Sequence, residues 1–357
     1  HLGMAGTAAR FWTALACFRP GETIVTGEKR LMERPMAALI NALKNTGAEL
    51  YCLGEEGKLP VKIIGKPDFC PNEFHLAAGE SSQFLSALLL CAPVLKVGTR
   101  IYYDHERAVS RSYAELTVRL LQGVGAEWKS TAFGYELVSC NPAAGAVVES
   151  DWSAASYPLA AALLQKTTFT LAGLRPGSLQ GDAAQLEKYT AWGLNAEFTP
   201  DGLRVANNTG NIVRPFDWDC AQTPDLAQTW AVLALFACGK SSLRGLQTLK
   251  YKETDRIAAL KAELEKFNAD VEAHDDRITI SPRDFPRWPP VVKTYDDHRM
   301  AMAFSLAALS ACGVQIENPG VVSKSFPAFW DEAPKWGVSI GAETDGNNHR
   351  TMENPRL

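Results

Sequence analysis

Four charged residues crowd into "KETDR", namely Lys252, Glu253, Asp255 and Arg256, directly ahead of an apolar helical pattern. Lys252 and Arg256 are spaced i, i+4 and share one helix face, which suits two oxygens of a single phosphate or carboxylate. Glu253 between them fits either a counter-ion for the two cations or a carboxylate that moves protons. Similar groups recur at other predicted helix starts: Arg34 in "MERPMAAL", Asp225 in "TPDLAQTW", Asp297, His298 and Arg299 in "DDHRMAM", and Lys324 in "KSFPAFW". A helix N-terminus carries orphan N–H groups and a partial positive charge, so a cation there is disfavoured by roughly 0.3–1 kcal/mol. Five cations in such places point to an anion that offsets the penalty. Blander readings stand beside this one. Asp225 reads equally as an N-cap, Thr7, Ser153 and Asp182 read first as caps, His298 as cap, core or surface group, and Tyr113 as packing.

The elements that must position these residues follow from self-comparison. Five segments open with a small or polar cluster and run into an apolar helical pattern, beginning near Gly6, Ser81, Ser153, Asp225 and Asp297, a period of about seventy residues. A second landmark keeps step: "TGAEL", "VGAEW", "LNAEF", "FNADV" and "WGVSI" each follow a second helical pattern and open a strand. Gly47, Gly125, Asn195 and Asn268 in these landmarks suit the left-handed position that ends a helix. Each unit therefore reads helix, strand, helix, strand, turn, strand, with "GLRVAN" and "DRITISP" as closing strands. Residues 1–148 hold two units, 149–340 hold three, and 341–357 read as a loose polar tail. The chain opens inside what reads as a first helix, which implies material upstream.

Composition narrows the class. The net charge of -4 gives no global basic field for nucleic acid or an anionic membrane, so any anion must be held by local cations. The eight cysteines form no C-x-x-C pair and several sit in apolar runs, as reduced thiols do, and the six histidines show no metal-ligand spacing. Nothing resembles a signal peptide or a membrane span. The expectation is a cytoplasmic monomer that binds small molecules.

At these residues the sequence resembles the EPSP synthases, the enolpyruvyl transferases of the shikimate pathway. The resemblance rests on "AGTAARF", "ERPMAALINAL", "SSQFLSALLL", "SDWSAASY", "KETDRI", "YDDHRMAMAFSL" and "KSFPAFW", in the family's order, over about residues 2 to 338. It implies a two-domain inside-out α/β barrel of repeated βαβαββ-type units, five of an expected six visible, with helix N-termini facing a cleft. It also implies transfer of the enolpyruvyl group of phosphoenolpyruvate to shikimate 3-phosphate, with release of phosphate and no metal or cofactor. By motif position Ser81, Ser82, Gln83, Ser110, Tyr113 and Lys252 would bind shikimate 3-phosphate. Gly6, Arg34, Gln83, Arg256, Arg299 and Lys324 would bind phosphoenolpyruvate. Asp225 would accept the proton of the attacking hydroxyl, and Glu253, beside Lys252, would donate one to the methylene carbon. Gly6 matches the glycine that leaves room for the inhibitor glyphosate. Met4 and Thr248 stand where the family has Asn, Thr248 towards the shikimate phosphate. The family's N-terminal Lys-Ser…Arg segment has no counterpart in this sequence. The sister transferase acting on UDP-N-acetylglucosamine relies on a loop cysteine, for which none of the thiols here is well placed. A non-catalytic anion-binding homologue is the third reading.

Overall fold

The computed structural model describes residues 1–142, 145, 147–208, 213–341 and 349–353. It separates into two compact units, His1–Val148 and Glu149–Leu357, each with its own hydrophobic core.

The first unit contains two repeats. One comprises α1 (Gly6–Ala16), β1 (Gly21–Val25), α2 (Lys29–Glu33), α3 (Ala37–Lys44), β2 (Glu49–Cys52) and β3 (Val61–Gly65). The other comprises β4 (Glu73–Leu76), α4 (Ser82–Leu89), β5 (Arg100–Tyr103), α5 (Arg111–Gly123), β6 (Ala126–Thr131) and β7 (Gly134–Cys140). The second unit contains three: α6 (Trp152–Leu164), β8 (Thr167–Ala172), α7 (Gln185–Ala191), β9 (Asn195–Thr199) and β10 (Gly202–Asn207); then β11 (Asp217–Asp219), α8 (Ala227–Leu233), β12 (Ser241–Arg244), α9 (Arg256–Glu265), β13 (Asp270–His274) and β14 (Arg277–Ser281); then β15 (Val291–Val292), α10 (His298–Phe304), β16 (Val314–Glu317), α11 (Phe329–Glu332), β17 (Ser339–Ile340) and β18 (His349–Glu353).

Five sheets result, one per repeat, in the orders β1-β3-β2, β4-β5-β7-β6, β8-β10-β9, β11-β12-β14-β13 and β15-β16-β18-β17. Each closes with an antiparallel hairpin, as the alternation in "GLRVAN" and "RITIS" requires: Leu203, Val205, Ile278 and Ile280 point inward and are fully buried. In three sheets the strand ahead of the first helix enters parallel, β4 on β5, β11 on β12 and β15 on β16. The corresponding edges of β1 and β8 carry no such strand among the described residues.

The first helix of each repeat is the apolar one. In the second unit α8 is buried over its whole length, and α6 is buried on nearly every side. α8 packs on both α6 and α10, and the polar starts of α8 and α10 meet through Asp225 and Arg299. The second helix of each repeat ends in a left-handed residue: Gly47 (φ 89°), Gly125 (92°), Gly193 (95°), Asn268 (64°) and Gly337 (89°).

Three expectations need correction. In the third repeat the left-handed position falls on Gly193, while Asn195 is a strand residue opposite Ala206, because the helix there ends two residues early. The first helix starts at Gly6, so the chain does not open inside it. The segment 341–357 is not wholly a loose tail: residues 349–353 pair antiparallel with β16 and β17, giving the fifth repeat its closing hairpin, and the rest of that segment beyond Gly341 lies outside the described residues. No helix is long and apolar enough to cross a membrane among the described residues.

Candidate active site

The second unit gathers six of the sequence-predicted residues into one ionic cluster centred on Arg256. This arginine is the first residue of α9, capped by Asp255, and its side chain is 1% exposed. Its Nε donates to Asp297 Oδ2 (2.7 Å), Nη1 to Asp225 Oδ1 (3.0 Å), and Nη2 to both Glu253 Oε2 (2.8 Å) and Asp297 Oδ1 (3.3 Å). Lys252 donates to Asp225 Oδ1 (3.3 Å), Arg299 to Asp225 Oδ2 (3.1 Å), and Lys324 to Glu253 Oε1. The cations of this cluster are thus not unbalanced: each donates to a resident carboxylate.

Local folding explains each placement. Asp225 is not the N-cap of its helix. It lies inside the 3₁₀ turn Pro224–Leu226 that leads into α8, which turns both its oxygens towards the cations. Lys252 ends the 3₁₀ turn Leu249–Tyr251, and Glu253 sits on the bend between that turn and the Asp255 cap. Lys324 closes the turn Pro319–Lys324, five residues ahead of α11, rather than starting a helix. Thr248 caps the turn before Lys252, and its hydroxyl is buried without a partner among the described residues.

The electrostatics follow from that geometry. Burial alone would raise the Asp225 carboxyl, but Arg299, Lys252 and Arg256 outweigh it and hold it well below the usual range. Burial opposes the Arg256 charge, yet Asp297, Glu253 and Asp225 raise its pKa further. Lys324 is lowered by burial despite Glu253. His298 Nδ1 lies 3.5 Å from Asp297 Oδ1, but burial, reinforced by the nearby cations Arg299, Lys324 and Arg256, pushes His298 down to about 4. It is a neutral imidazole at pH 7 rather than an ion-pair partner.

The first unit presents a second set. Ser81 caps α4, its hydroxyl accepting from Gln83 N (3.2 Å); Ser82 is buried, and Gln83 Nε2 donates to Thr7 Oγ1 (3.0 Å), tying the start of α4 to that of α1. A Cβ built on Gly6 would lie 2.5 Å from Arg34 Nη1 and 2.6 Å from Arg10 Nη1, so only a hydrogen fits between that backbone and the two guanidinium groups. Arg34 is buried between α2 and α3. Ser110 is the residue before α5 and is held at φ 50°, uncommon for a residue with a Cβ, while Tyr113 lies in the first turn of that helix. The helices α4 and α5 are joined by Ser86 and Thr117, whose hydroxyls are 2.8 Å apart.

The contacts of two further residues escape a sequence reading. Asp297 looks like a cap, and it is one, accepting from Arg299 N (2.8 Å); its second role, filling the Arg256 fork, depends on a partner 41 positions away. Arg10 lies inside the quoted "AGTAARF" without standing out. It donates to Gly6 O and Pro35 O (3.0 Å each), pinning the glycine turn to the segment that carries Arg34.

Comparison with known proteins bears on this site. The family model described as EPSP synthase (3-phosphoshikimate 1-carboxyvinyltransferase) matches residues 1–333. A 3-phosphoshikimate 1-carboxyvinyltransferase from Bacteroides fragilis (strain YCH46) is 41% identical over 348 residues, covering 95% of this chain and 84% of the relative. One from Aliivibrio salmonicida is 38% identical over 341 residues, covering 94% and 78%. Among solved structures, EPSP synthase from Acinetobacter baumannii superposes with a TM-score of 0.72 at 24% identity, covering 96% of this chain and 79% of that one. The enolpyruvyl transferase NikO from Streptomyces tendae gives 0.68 at 14% identity, covering 96% and 77%. At those identities the two structures establish the mixed α/β enolpyruvyl transferase fold alone. With the family model and the curated relatives spanning nearly its whole length, the chain belongs to the EPSP synthase (3-phosphoshikimate 1-carboxyvinyltransferase) family.

Proposed function

We infer that the chain is a transferase that moves the carboxyvinyl group of phosphoenolpyruvate to the 5-hydroxyl of shikimate 3-phosphate and releases phosphate. The observation that carries the chemistry is the pair of carboxylates, Asp225 and Glu253, each held by Arg256 and each faced by a lysine. Protonation of the alkene at C3 places positive charge on C2, the hydroxyl adds there as it gives up its proton, and the adduct then loses phosphate together with a C3 proton to restore the vinyl group, so one acid and one base must flank a bound dianion. Glu253 is assigned the first proton transfer and Asp225 the second. Lys252, Arg299 and Lys324 can exchange their carboxylate partners for phosphate and carboxylate oxygens, while Arg256, enclosed by three carboxylates, chiefly orients them. In the first unit Arg34, Gly6 and Gln83 are assigned to phosphoenolpyruvate, and Ser81, Ser82, Gln83, Ser110 and Tyr113 to shikimate 3-phosphate. The buried Thr248 hydroxyl supplies a donor for the shikimate phosphate where the family has an amide. The finer fold reading, an inside-out α/β barrel of βαβαββ-type repeats, is supported by the five sheets and the three buried first helices of the second unit.

The test is phosphate release. Turnover is expected with phosphoenolpyruvate and shikimate 3-phosphate and not with UDP-N-acetylglucosamine in place of the latter. Release with the nucleotide sugar would assign the sister reaction, and binding without release would make the chain a non-catalytic homologue.

A second expectation concerns Gly6. The methyl of Gly6→Ala must displace the Arg34 or Arg10 guanidinium, so its effect on anions is indirect. Glyphosate, which in this family occupies the phosphoenolpyruvate site, should bind at least about tenfold more weakly, or about 1.4 kcal/mol, with a smaller rise in KM for phosphoenolpyruvate. Inhibition curves for wild type, Gly6→Ala and Met4→Asn check this. An insensitive wild type made sensitive by Met4→Asn would transfer control of the pocket to Met4.

A further inference from the structure

One buried carboxyl has no part in the chemistry above. Asp182 lies in the turn Gly181–Ala184 ahead of α7 and is 3% exposed. Ser153, in the first turn of α6, donates its hydroxyl to Asp182 Oδ2. The other oxygen, Oδ1, is buried and has no hydrogen-bond partner among the described residues. An ionised carboxylate in that setting keeps one oxygen unsolvated, which strongly favours the protonated form. The turns that carry Asp182 and Asp225 both pack on α6, and the groups whose charge or hydrogen bond bears on Asp182 are Asp225 from the turn before α8, Asp151 and Ser153 from the start of α6, Arg299 from α10, and Cys220 from the segment after β11. Burial first, and then the Asp225 charge, raise Asp182 to about 7, while Ser153 and Arg299 pull it down. The Cys220 thiol, pushed up to about 12 by its own burial, stays neutral.

We propose that Asp182 is a positioning residue for the transfer step, setting through its own charge the proton affinity of Asp225. The proposal rests on Asp225 being the base. While Asp182 is neutral, Arg299, Lys252 and Arg256 hold Asp225 as a weak base. Once Asp182 ionises, a second negative charge shares Arg299 and repels that of Asp225, so Asp225 takes the hydroxyl proton more readily. The Ser153 hydroxyl bond, which favours the ionised form, sets the pH at which the change occurs.

The experiment is a pH profile of kcat for wild type, Asp182→Asn and Ser153→Ala. Wild-type kcat should rise as pH passes through the region near 7. Asp182→Asn, fixed as neutral, should stay at the low-pH level of the wild type throughout, with both KM values within about twofold. Ser153→Ala should move the rise to higher pH by about half a unit or more. A profile that keeps the wild-type rise in Asp182→Asn, or an unmoved one in Ser153→Ala, overturns the proposal; if Asp182→Asn does not fold, the serine variant decides. Thermal unfolding against pH supplies an arm that needs no turnover. A carboxyl with a raised pKa keeps a proton that the unfolded chain has released, so the stability of wild type relative to Asp182→Asn should fall from the ordinary carboxyl pKa up to about 7 and then level off. No such difference would sink the proposal. Its presence in a protein that turns over neither substrate pair would instead locate the failure in the functional reading.

Discussion

Asp225→Asn and Glu253→Gln are each expected to lower turnover by at least about 100-fold, or roughly 2.7 kcal/mol of transition-state stabilisation, with KM values little changed. The split between kcat and KM follows from the ion pairs. Asp225 engages Lys252 and Arg299, and Glu253 engages Lys324, all cations assigned to substrate anions. Replacing either carboxylate by an amide removes the proton carrier but weakens the hold on those cations, so substrate binding loses a competitor as it loses a positioned neighbour. Steady-state kinetics with both substrates varied would check the result. Near-normal kcat in either variant would return that residue to the role of counter-ion, whereas a large rise in KM at unchanged kcat would make it a binding group.

Arg256→Met is expected to have the largest effect on stability. Removing one partner of a buried ionic cluster costs about 3–5 kcal/mol, because the charges left behind stay buried without compensation. For a unit of this size that corresponds to a fall in melting temperature of roughly 10 °C. Three carboxylates, from Asp225, Glu253 and Asp297, would then lose the guanidinium they share, Asp225 keeping only Arg299 and Lys252 and Glu253 only Lys324 among the cations of the cluster. Asp225 loses one of the cations that hold its carboxyl below the usual range, while Arg299 and Lys252 remain, so in the variant its pKa lies closer to that of the unfolded chain. The deficit relative to wild type should therefore be level above about pH 5 and shrink as pH falls through the ordinary carboxyl range. Arg256→Lys keeps the charge but reaches fewer carboxylates and should fall between the two. Calorimetry across pH reads that trend. A pH-independent deficit in Arg256→Met would show that the arginine serves packing and not charge balance.

The repeat, the helix order and the polar helix starts were legible because they depend on local pattern: apolar spacing, caps and hairpin alternation. Asp225 read equally as a cap or as a functional carboxylate for the same reason, since a cap and a turn residue look alike until the turn's direction is known. Arg256 was legible as a cation on a helix start but not as the hub of three carboxylates, one of which arrives from another repeat. Asp182 and Ser153 read as capping groups, and nothing local marks a carboxyl whose second oxygen is buried without a partner. The resemblance assigned residues to the substrates; it did not supply the pairing among them, which is a property of burial and distance.

The pairing of every cation in the cluster with a carboxylate of the chain itself turns recognition into an exchange reaction. A ligand does not meet bare positive charge; it must displace carboxylate oxygens that already bond Lys252, Arg299 and Lys324. Chloride offers each cation less than the oxygen it would replace, so the ordinary salt of a cell is a poor competitor. On the function proposed above, a phosphate dianion that supplies several oxygens at once would complete the exchange, and the released Asp225 and Glu253 would then be free to handle protons only when the substrate that needs them is in place.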